Sequence, residues 1–288
     1  RYGTVTGVQT CALPIYDVRN AIAGRFSKFI GRHRRRTDGC ATQMSMSFLE
    51  PQWAAPCSVR AAFSLRSGGT SAAPWNSLNL GAHVGDDPLA VRDNRARLRH
   101  ALRLPAEPVW LEQVHGTDVC VVDGEAPSTP RADAIVTRAA NVVLAIMVAD
   151  CLPILLTTDD GSVLAAAHAG WRGLAAGVLE KTIVAMQTPS ARLHAWLGPC
   201  IGLEYFEVGA EVRAAFVAAG DDPKNFRPNP QGKFQCDLVA IARARLARLG
   251  VASVTGGQWC TAADPVRFYS HRRDQRTGRM AALLWREG

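Results

Sequence analysis

The chain has 288 residues, 33 Lys and Arg against 25 Asp and Glu for a formal net charge of +8, and 48% hydrophobic residues. The excess charge is local: residues 1–43 hold eight of the basic and two of the acidic residues, which leaves 25 against 23 for the rest. A near-neutral body gives no electrostatic ground for binding nucleic acid or an anionic membrane. The longest apolar run, VVLAIMVADCLPILL, is broken by Asp150 and Pro153 and falls short of the ~18 residues of a membrane helix.

Residues 6–15, TGVQTCALPI, have neither helical period nor strand alternation. One nucleotide string that encodes them, act gga gtt cag acg tgt gct ctt ccg atc, is that of a common short-read sequencing adapter. The stretch is therefore expected to be translated adapter. The basic run after it, Arg32, Arg34, Arg35 and Arg36, is expected to be upstream DNA read in frame rather than a nucleic-acid arm. MSMSFLEPQW then offers a start at Met44 or Met46. Residues 1–43 are expected to be a disordered, non-native extension, and 44–288 a single domain with ample length for a core.

From there SVRAAFSLRSGG reads as a strand ending in a glycine turn, and TSAAPWNSLNLGAHVGDD as a polar loop. Asp86 or Asp87 can cap a helix through VRDNRARLRHAL, with Pro88 at its first position. PVWLEQVHGTDVCVVD reads as strand, turn at His115-Gly116, strand, and ADAIVTRA as a short strand. NVVLAIMVADC is a continuous apolar run, hence a strand buried on both faces. GSVLAAAHAGWRG is a second such run ending in a Gly-Trp-Arg-Gly turn, and LAAGVLEKTIVAM has helical period. LHAWLGPCIG reads as a strand into a loop, and VGAEVRAAFVAAG as a helix closed by Gly220. Asp237 caps a helix through LVAIARARLARL, closed by Gly250. FYSHRRDQRTGRM precedes a last strand, AALLW. Strands and helices interleave without repeat, GxGxxG or P-loop, which points to one α/β or α+β domain. Six scattered cysteines past Met44, without paired spacing or a secretory signal, fit free thiols in the cytoplasm.

Three segments end an apolar stretch on a reactive side chain: LEQVHG with His115, VADC with Asp150 and Cys151, and AAHAGWRG with His168 and Arg172. Strand ends that open into loops are where rigid scaffolds present catalytic groups. His, Cys and His are ligand types for zinc or copper, and three protein ligands leave a fourth position for water or substrate. Thirty-five residues separate His115 from Cys151, and 16 separate Cys151 from His168, so spacing alone does not make a metal motif. Taken singly, each also reads as a satisfied core histidine or a structural thiol. A Cys151–His168 nucleophile pair is a third reading. In HAGWRGL, Gly170 and Gly173 permit tight backbone geometry, and Arg172 at a helix start suits an anion such as phosphate, or is a plain surface arginine. Arg272, Arg273 and Arg279 could clamp phosphate or pair with internal carboxylates, and Cys200 reads as packing.

SLNLGAHVGD, VWLEQVHG, RADAIVT, VADCLPILL, AAHAGWRGL, AWLGPCIG, FEVG and FYSHRRDQRTGRM follow one another in an order that resembles the YfiH/laccase-domain family, from about Phe48 to Trp285. Its members are called polyphenol oxidase, multicopper oxidase-like or purine nucleoside phosphorylase. The resemblance implies a single-domain α+β fold, a four-layer α/β/β/α sandwich similar in outline to toxin-type cysteine deamidases. It implies one zinc or copper ion on His115, Cys151 and His168. It also implies phosphorolysis of adenosine, inosine, guanosine and methylthioadenosine, with adenosine deamination. Catalytic roles then fall to Cys151, His168, Asp150 and Arg172, with Asp150 as proton donor or as support for a ligand. The expected partners are purine nucleosides and phosphate, with neither nucleic acid nor membrane, on a monomer or weak homo-oligomer in the cytoplasm. Copper-dependent phenol oxidation, editing of peptidoglycan precursors and a non-catalytic metal-stabilised binding role are the alternatives. Only six histidines lie past Met44, and His100 and His194 sit away from the motifs, so one ion fits better than a multicopper cluster.

Overall fold

Apolar runs without alternation belong to strands covered on both faces, and this chain arranges them in two sheets that face each other. The computed structural model describes residues 46–125 and 128–288; the expected extension at 1–43 lies outside the described residues. The strands are β1 (Phe48–Leu49), β2 (Val59–Ser64), β3 (Val109–Trp110), β4 (Val119–Val121), β5 (Ala134–Thr137), β6 (Leu144–Val148) and β7 (Leu152–Thr158). They continue with β8 (Leu164–Ala169), β9 (Leu193–Leu197), β10 (Glu207–Val208), β11 (Phe226–Pro228), β12 (Phe234–Cys236), β13 (Ser253–Gly256) and β14 (Met280–Arg286). The helices are α1 (Pro88–Ala101), α2 (Trp171–Ala175), α3 (Val178–Met186), α4 (Ala210–Ala218), α5 (Leu238–Arg248) and α6 (His271–Asp274). One sheet has the order β1-β2-β14-β6-β3, the second β13-β9-β7-β8-β5-β4, and a small third β10-β12-β11. The fold is mixed α+β.

The side-chain period of two decides which face each residue serves. Leu144, Ile146 and Val148 of β6 join Phe63, Met280 and Leu284 against Ile135, Leu155, Ala166 and Trp196, residues of the six-stranded sheet. Ala145 and Met147 point the other way, into a cluster with Ala281, Leu283, the loop residues Leu78 and Leu80, and Leu98 of α1. The far face of the six-stranded sheet, with Val136, Ile154 and Ala165, packs on α3, α4 and α5 through Leu179, Ile183, Phe216, Ile241 and Leu246. Truncating a buried Leu or Ile in such a core costs roughly 2–5 kcal/mol.

The predicted caps hold. The Asp87 side chain accepts from the Leu89 amide at 2.9 Å, while Asp86 is taken by Ser71 and Asn79. Asp237 caps α5 through the Ala240 amide. Three local expectations are corrected. The helical run LAAGVLEKTIVAM is interrupted because Gly177 adopts φ 94°, which ends α2 and starts α3. The two strands of PVWLEQVHGTDVCVVD do not pair; β3 joins β6 in one sheet and β4 joins β5 in the other. The pattern also hides β7, a central strand, because Pro153 is its second residue. A proline is tolerated near a strand start, and its carbonyl still accepts from the Gly198 amide at 2.9 Å.

Candidate metal centre

The chain passes from the five-stranded to the six-stranded sheet twice, and a candidate ligand sits at each passage. Between β3 and β4 it turns at His115, which takes φ 60°. Between β6 and β7 it turns at Asp150, φ 92°, directly before Cys151. His168 comes from inside β8, is 3% exposed and stands opposite Pro153 of β7. Residues distant in sequence thus meet because both crossovers open at one end of the paired sheets.

The ligand atoms of His115, Cys151 and His168 all lie within 4.8 Å of one another, and they are the one such His/Cys/acid group among the described residues. The Cys151 Sγ is 3.8 Å from the His115 Nε2. With Zn–S near 2.3 Å and Zn–N near 2.0–2.1 Å, a tetrahedral ion spans an S···N edge of about 3.6 Å. Two imidazoles and a thiol at this separation therefore suit a borderline-soft divalent ion. The close approach requires Gly170: a Cβ there would lie 2.9 Å from the His115 Cδ2 and 3.0 Å from the Cys151 Sγ.

Charge at the site is coupled. Burial pushes the Cys151 thiol up, but the His168 and His115 rings outweigh it and bring the thiol down to about 6. Burial lowers His168, but the Cys151 thiolate and Asp133 hold it up to about 9. His168 Nδ1 lies 2.8 Å from the buried Asp133 carboxylate. Both shifts favour the thiolate–imidazolium form of the pair.

A cavity of about 310 Å³ opens on this group, lined also by His83, Gln113, Arg172, His271 and Arg279, and by no carboxylate among the described residues. The Arg172 guanidinium stacks 4.4 Å from the Trp171 ring centre and has no hydrogen bond or ion pair among the described residues. Arg279 uses Nη1 on the Thr277 and Gly278 carbonyls, both at 3.1 Å. His83 is held below its ordinary value by burial, then by Arg279 and Arg95. Burial and the arginines thus disfavour the charged form of its ring. A larger groove of about 890 Å³ runs along α1 and is rich in arginine, but it contains no thiol and no ligand cluster.

A family model described as multi-copper polyphenol oxidoreductase laccase matches residues 60–287. A purine nucleoside phosphorylase of Pseudomonas aeruginosa is 52% identical over 242 residues, covering 83% of this chain and 98% of its own. The purine nucleoside phosphorylase YfiH of Escherichia coli is 48% identical over 235 residues, covering 82% and 97%. The chain belongs to the YfiH/laccase-domain family. A crystal structure of a Neisseria meningitidis family protein superposes with TM-score 0.78 at 46% identity, over 84% of this chain and 99% of that one.

Set against the family motifs, the geometry sorts the sequence-predicted residues. His115, Cys151, His168 and Arg172 share the cavity. Asp150 does not line it: its carboxylate accepts from the Thr261 hydroxyl, the Ser270 hydroxyl and the Arg272 amide. Of the C-terminal arginines, Arg272 donates to the Tyr205 and Glu207 carbonyls, and Arg273 to Asp274 and the Thr261, Ala262 and Phe268 carbonyls; Arg279 reaches the cavity. Sequence reasoning missed His83, His271 and Asp133. The available signal was their place inside GAHVGD, SHRRD and RADAIVT, stretches in which the sequence resembles the family.

Proposed function

We propose that the chain is a metal-dependent purine nucleoside phosphorylase acting on adenosine, inosine, guanosine and methylthioadenosine, and that it also deaminates adenosine. The observation that carries this reading is a single cavity in which a His-Cys-His ligand set faces two arginines and no carboxylate. The names of the relatives support the substrate class. About 310 Å³ lies at the small end of small-molecule sites, in keeping with a nucleoside and an inorganic anion.

His115, Cys151 and His168 would hold one zinc or copper ion, which supplies Lewis-acid polarisation and a compact positive charge when bound. In phosphorolysis a phosphate oxygen bonds to the ribose C1′ as the bond from C1′ to the purine nitrogen breaks. Arg172 and Arg279 would hold the phosphate by charge-assisted hydrogen bonds and orient it for that attack. The departing purine needs a proton, and His271 lies on the cavity wall with its Nδ1 donating to the Gln275 carbonyl, which leaves Nε2 for exchange. Deamination exchanges the C6 amine of adenosine for a water oxygen and releases ammonia; it needs no anion. Incubating the protein with each nucleoside and phosphate, with and without zinc, and weighing the products tests this. Ribose 1-phosphate and free base are expected, and are lost in Cys151→Ala.

A second reading is a metal-free cysteine hydrolase, favoured by the depressed Cys151 thiol beside an imidazolium braced by Asp133. Full turnover after exhaustive chelation would support it and reject the metal-dependent one.

A further inference from the structure

The motif RADAIVT contributes no ligand, yet its aspartate touches both histidines of the centre. Asp133 directly precedes β5 and is fully buried. Its Oδ1 lies 2.8 Å from the His168 Nδ1 and accepts from the His115 amide at 2.9 Å. Its Oδ2 accepts from the Gly116 amide at 2.6 Å and the Val114 amide at 3.2 Å. The Asp133 carbonyl also accepts from the His168 amide at 2.7 Å, continuing the β5–β8 ladder by one residue. One carboxylate, with about four lone-pair sites, is thus saturated by a ring of one ligand and the backbone of the turn that carries the other.

We infer that Asp133 is the positioning residue of the metal centre, fixing the His168 ring with its proton on Nδ1 and holding the His115 turn in its left-handed conformation. A carboxylate only accepts, so the ring nitrogen facing it must be the donor, and Nε2 is left as the ligand atom. Three of these four bonds, from the Val114, His115 and Gly116 amides, give the His115 turn, whose φ of 60° is costly for a residue with a Cβ, its compensating hydrogen bonds. Asp133 thereby couples two ligands from different crossovers through one buried group. An asparagine there has nearly the same volume but one accepting oxygen and an NH₂ that donates. Facing His168 with that NH₂ shifts the ring proton to Nε2 and blocks the ligand atom.

The inference rests on the metal-binding reading above, and zinc itself is the probe. Zinc dissociation constants are to be measured by competition with a chromogenic chelator for the full wild-type chain and for Asp133→Asn. In parallel, ¹⁵N spectra report which ring nitrogen of His168 carries hydrogen in the zinc-loaded wild type. The expected results are a ten- to hundredfold weaker zinc affinity in Asp133→Asn and a hydrogen-bonded Nδ1–H in the wild type. Unchanged affinity in the variant, or His168 binding zinc through Nδ1, overturns the role of Asp133 while the centre itself stands. A wild type that takes up no zinc overturns both. If Asp133→Asn does not fold, the wild-type ring spectrum alone decides.

Discussion

The Asp150 carboxylate accepts a 2.6 Å hydrogen bond from the Thr261 hydroxyl, which ties the turn before Cys151 to a segment 111 residues later. The same carboxylate takes the Ser270 hydroxyl and the Arg272 amide, so it also anchors the start of α6. With its acceptors occupied and its place outside the cavity lining, it supports the Cys151 turn. Asp150→Asn should keep the turn, because asparagine tolerates positive φ; with its oxygen on the Ser270 hydroxyl and the Arg272 amide, its NH₂ faces the Thr261 hydroxyl, so charge-assisted bonds are replaced by weaker neutral ones and the Thr261 hydroxyl loses its acceptor. The expected loss is about 1–3 kcal/mol of unfolding free energy in a denaturant titration, with zinc affinity near wild type. Unchanged stability combined with loss of one limb of the kcat pH profile would instead make Asp150 the proton donor.

Gly170 tests the packing of the centre. At φ −62° an alanine is allowed, so the backbone cost is small and the effect arises at the ligands. The new methyl would press on the His115 ring and the Cys151 sulfur, 2.9 and 3.0 Å away. Gly170→Ala is expected to lose most bound metal while its melting temperature stays within a few degrees of wild type. Equimolar metal in the purified variant would refute this.

Ionisation at Cys151 and His168 has separable consequences. A thiol lowered from 9.0 to about 6 stabilises the fold above 9.0 and loses that contribution as pH falls through about 6. A histidine raised from 6.5 to about 9 stabilises the fold below 6.5 and loses that contribution as pH rises through about 9. Folded and unfolded chains therefore bind nearly equal numbers of protons at this pair, and metal-free stability should be almost flat from pH 6.5 to 9 on its account. The thiolate itself is the readout. Its absorbance at 240 nm, taken as the difference from Cys151→Ser, is expected to rise near pH 6 and to move towards 9 in His168→Ala. A midpoint above 8 in the metal-free wild type would contradict the ion pair.

How the ligands could be read from sequence while their support could not follows from distance along the chain. His115 and Cys151 each follow an apolar run beside a Gly or a polar residue, and His168 comes two residues before Gly170 at the end of another, a local signal. Asp133 lies 35 residues from the ring it orients, and before a strand it looks like any turn aspartate. The crossovers were equally hidden: nothing local tells that β3 and β4 belong to different sheets, since both are short and apolar. Gly177 was visible as a residue, but its positive φ depends on the packing of α2 against α3. His83 and His271 sit in polar loops, and only the closure of the cavity makes them neighbours of the ligands.

Behind the centre, Arg245 of α5 is 2% exposed and binds Asp221, 4% exposed, through both carboxylate oxygens. It also donates to the Leu174 carbonyl at 2.6 Å and so clamps the α2 segment that follows the His168 strand. Removing Asp221 leaves the buried guanidinium only the longer contact to Glu180, 3.3 Å from Nη1, as a carboxylate partner. Asp221→Ala is expected to cost about 3–5 kcal/mol, read from chemical denaturation. Arg245→Met with Asp221→Leu should recover much of that, because neither member of the buried pair then remains charged, and Glu180 and Arg248, which are more exposed, can turn to water. A double variant no more stable than Asp221→Ala would mean that the lost bonds to Leu174 dominate.

Arg172 separates the two proposed reactions. It lines the cavity, stacks on Trp171, and has no hydrogen bond or ion pair among the described residues, so its removal should leave the scaffold intact. Arg279 is a poorer probe, because its guanidinium also carries the Thr277 and Gly278 carbonyls. One lost charge-assisted contact is worth roughly 1.5–3 kcal/mol, about ten- to a hundredfold in affinity. Arg172→Ala is therefore expected to raise the KM for phosphate by that factor, with the melting temperature and the deamination of adenosine held. Arg172→Lys should recover only part, since a point charge replaces a planar fork that matches phosphate. The competing outcome is a parallel fall of both activities with thermal stability. It would make Arg172 a brace for the Gly-Trp-Arg-Gly turn and leave phosphate to Arg279.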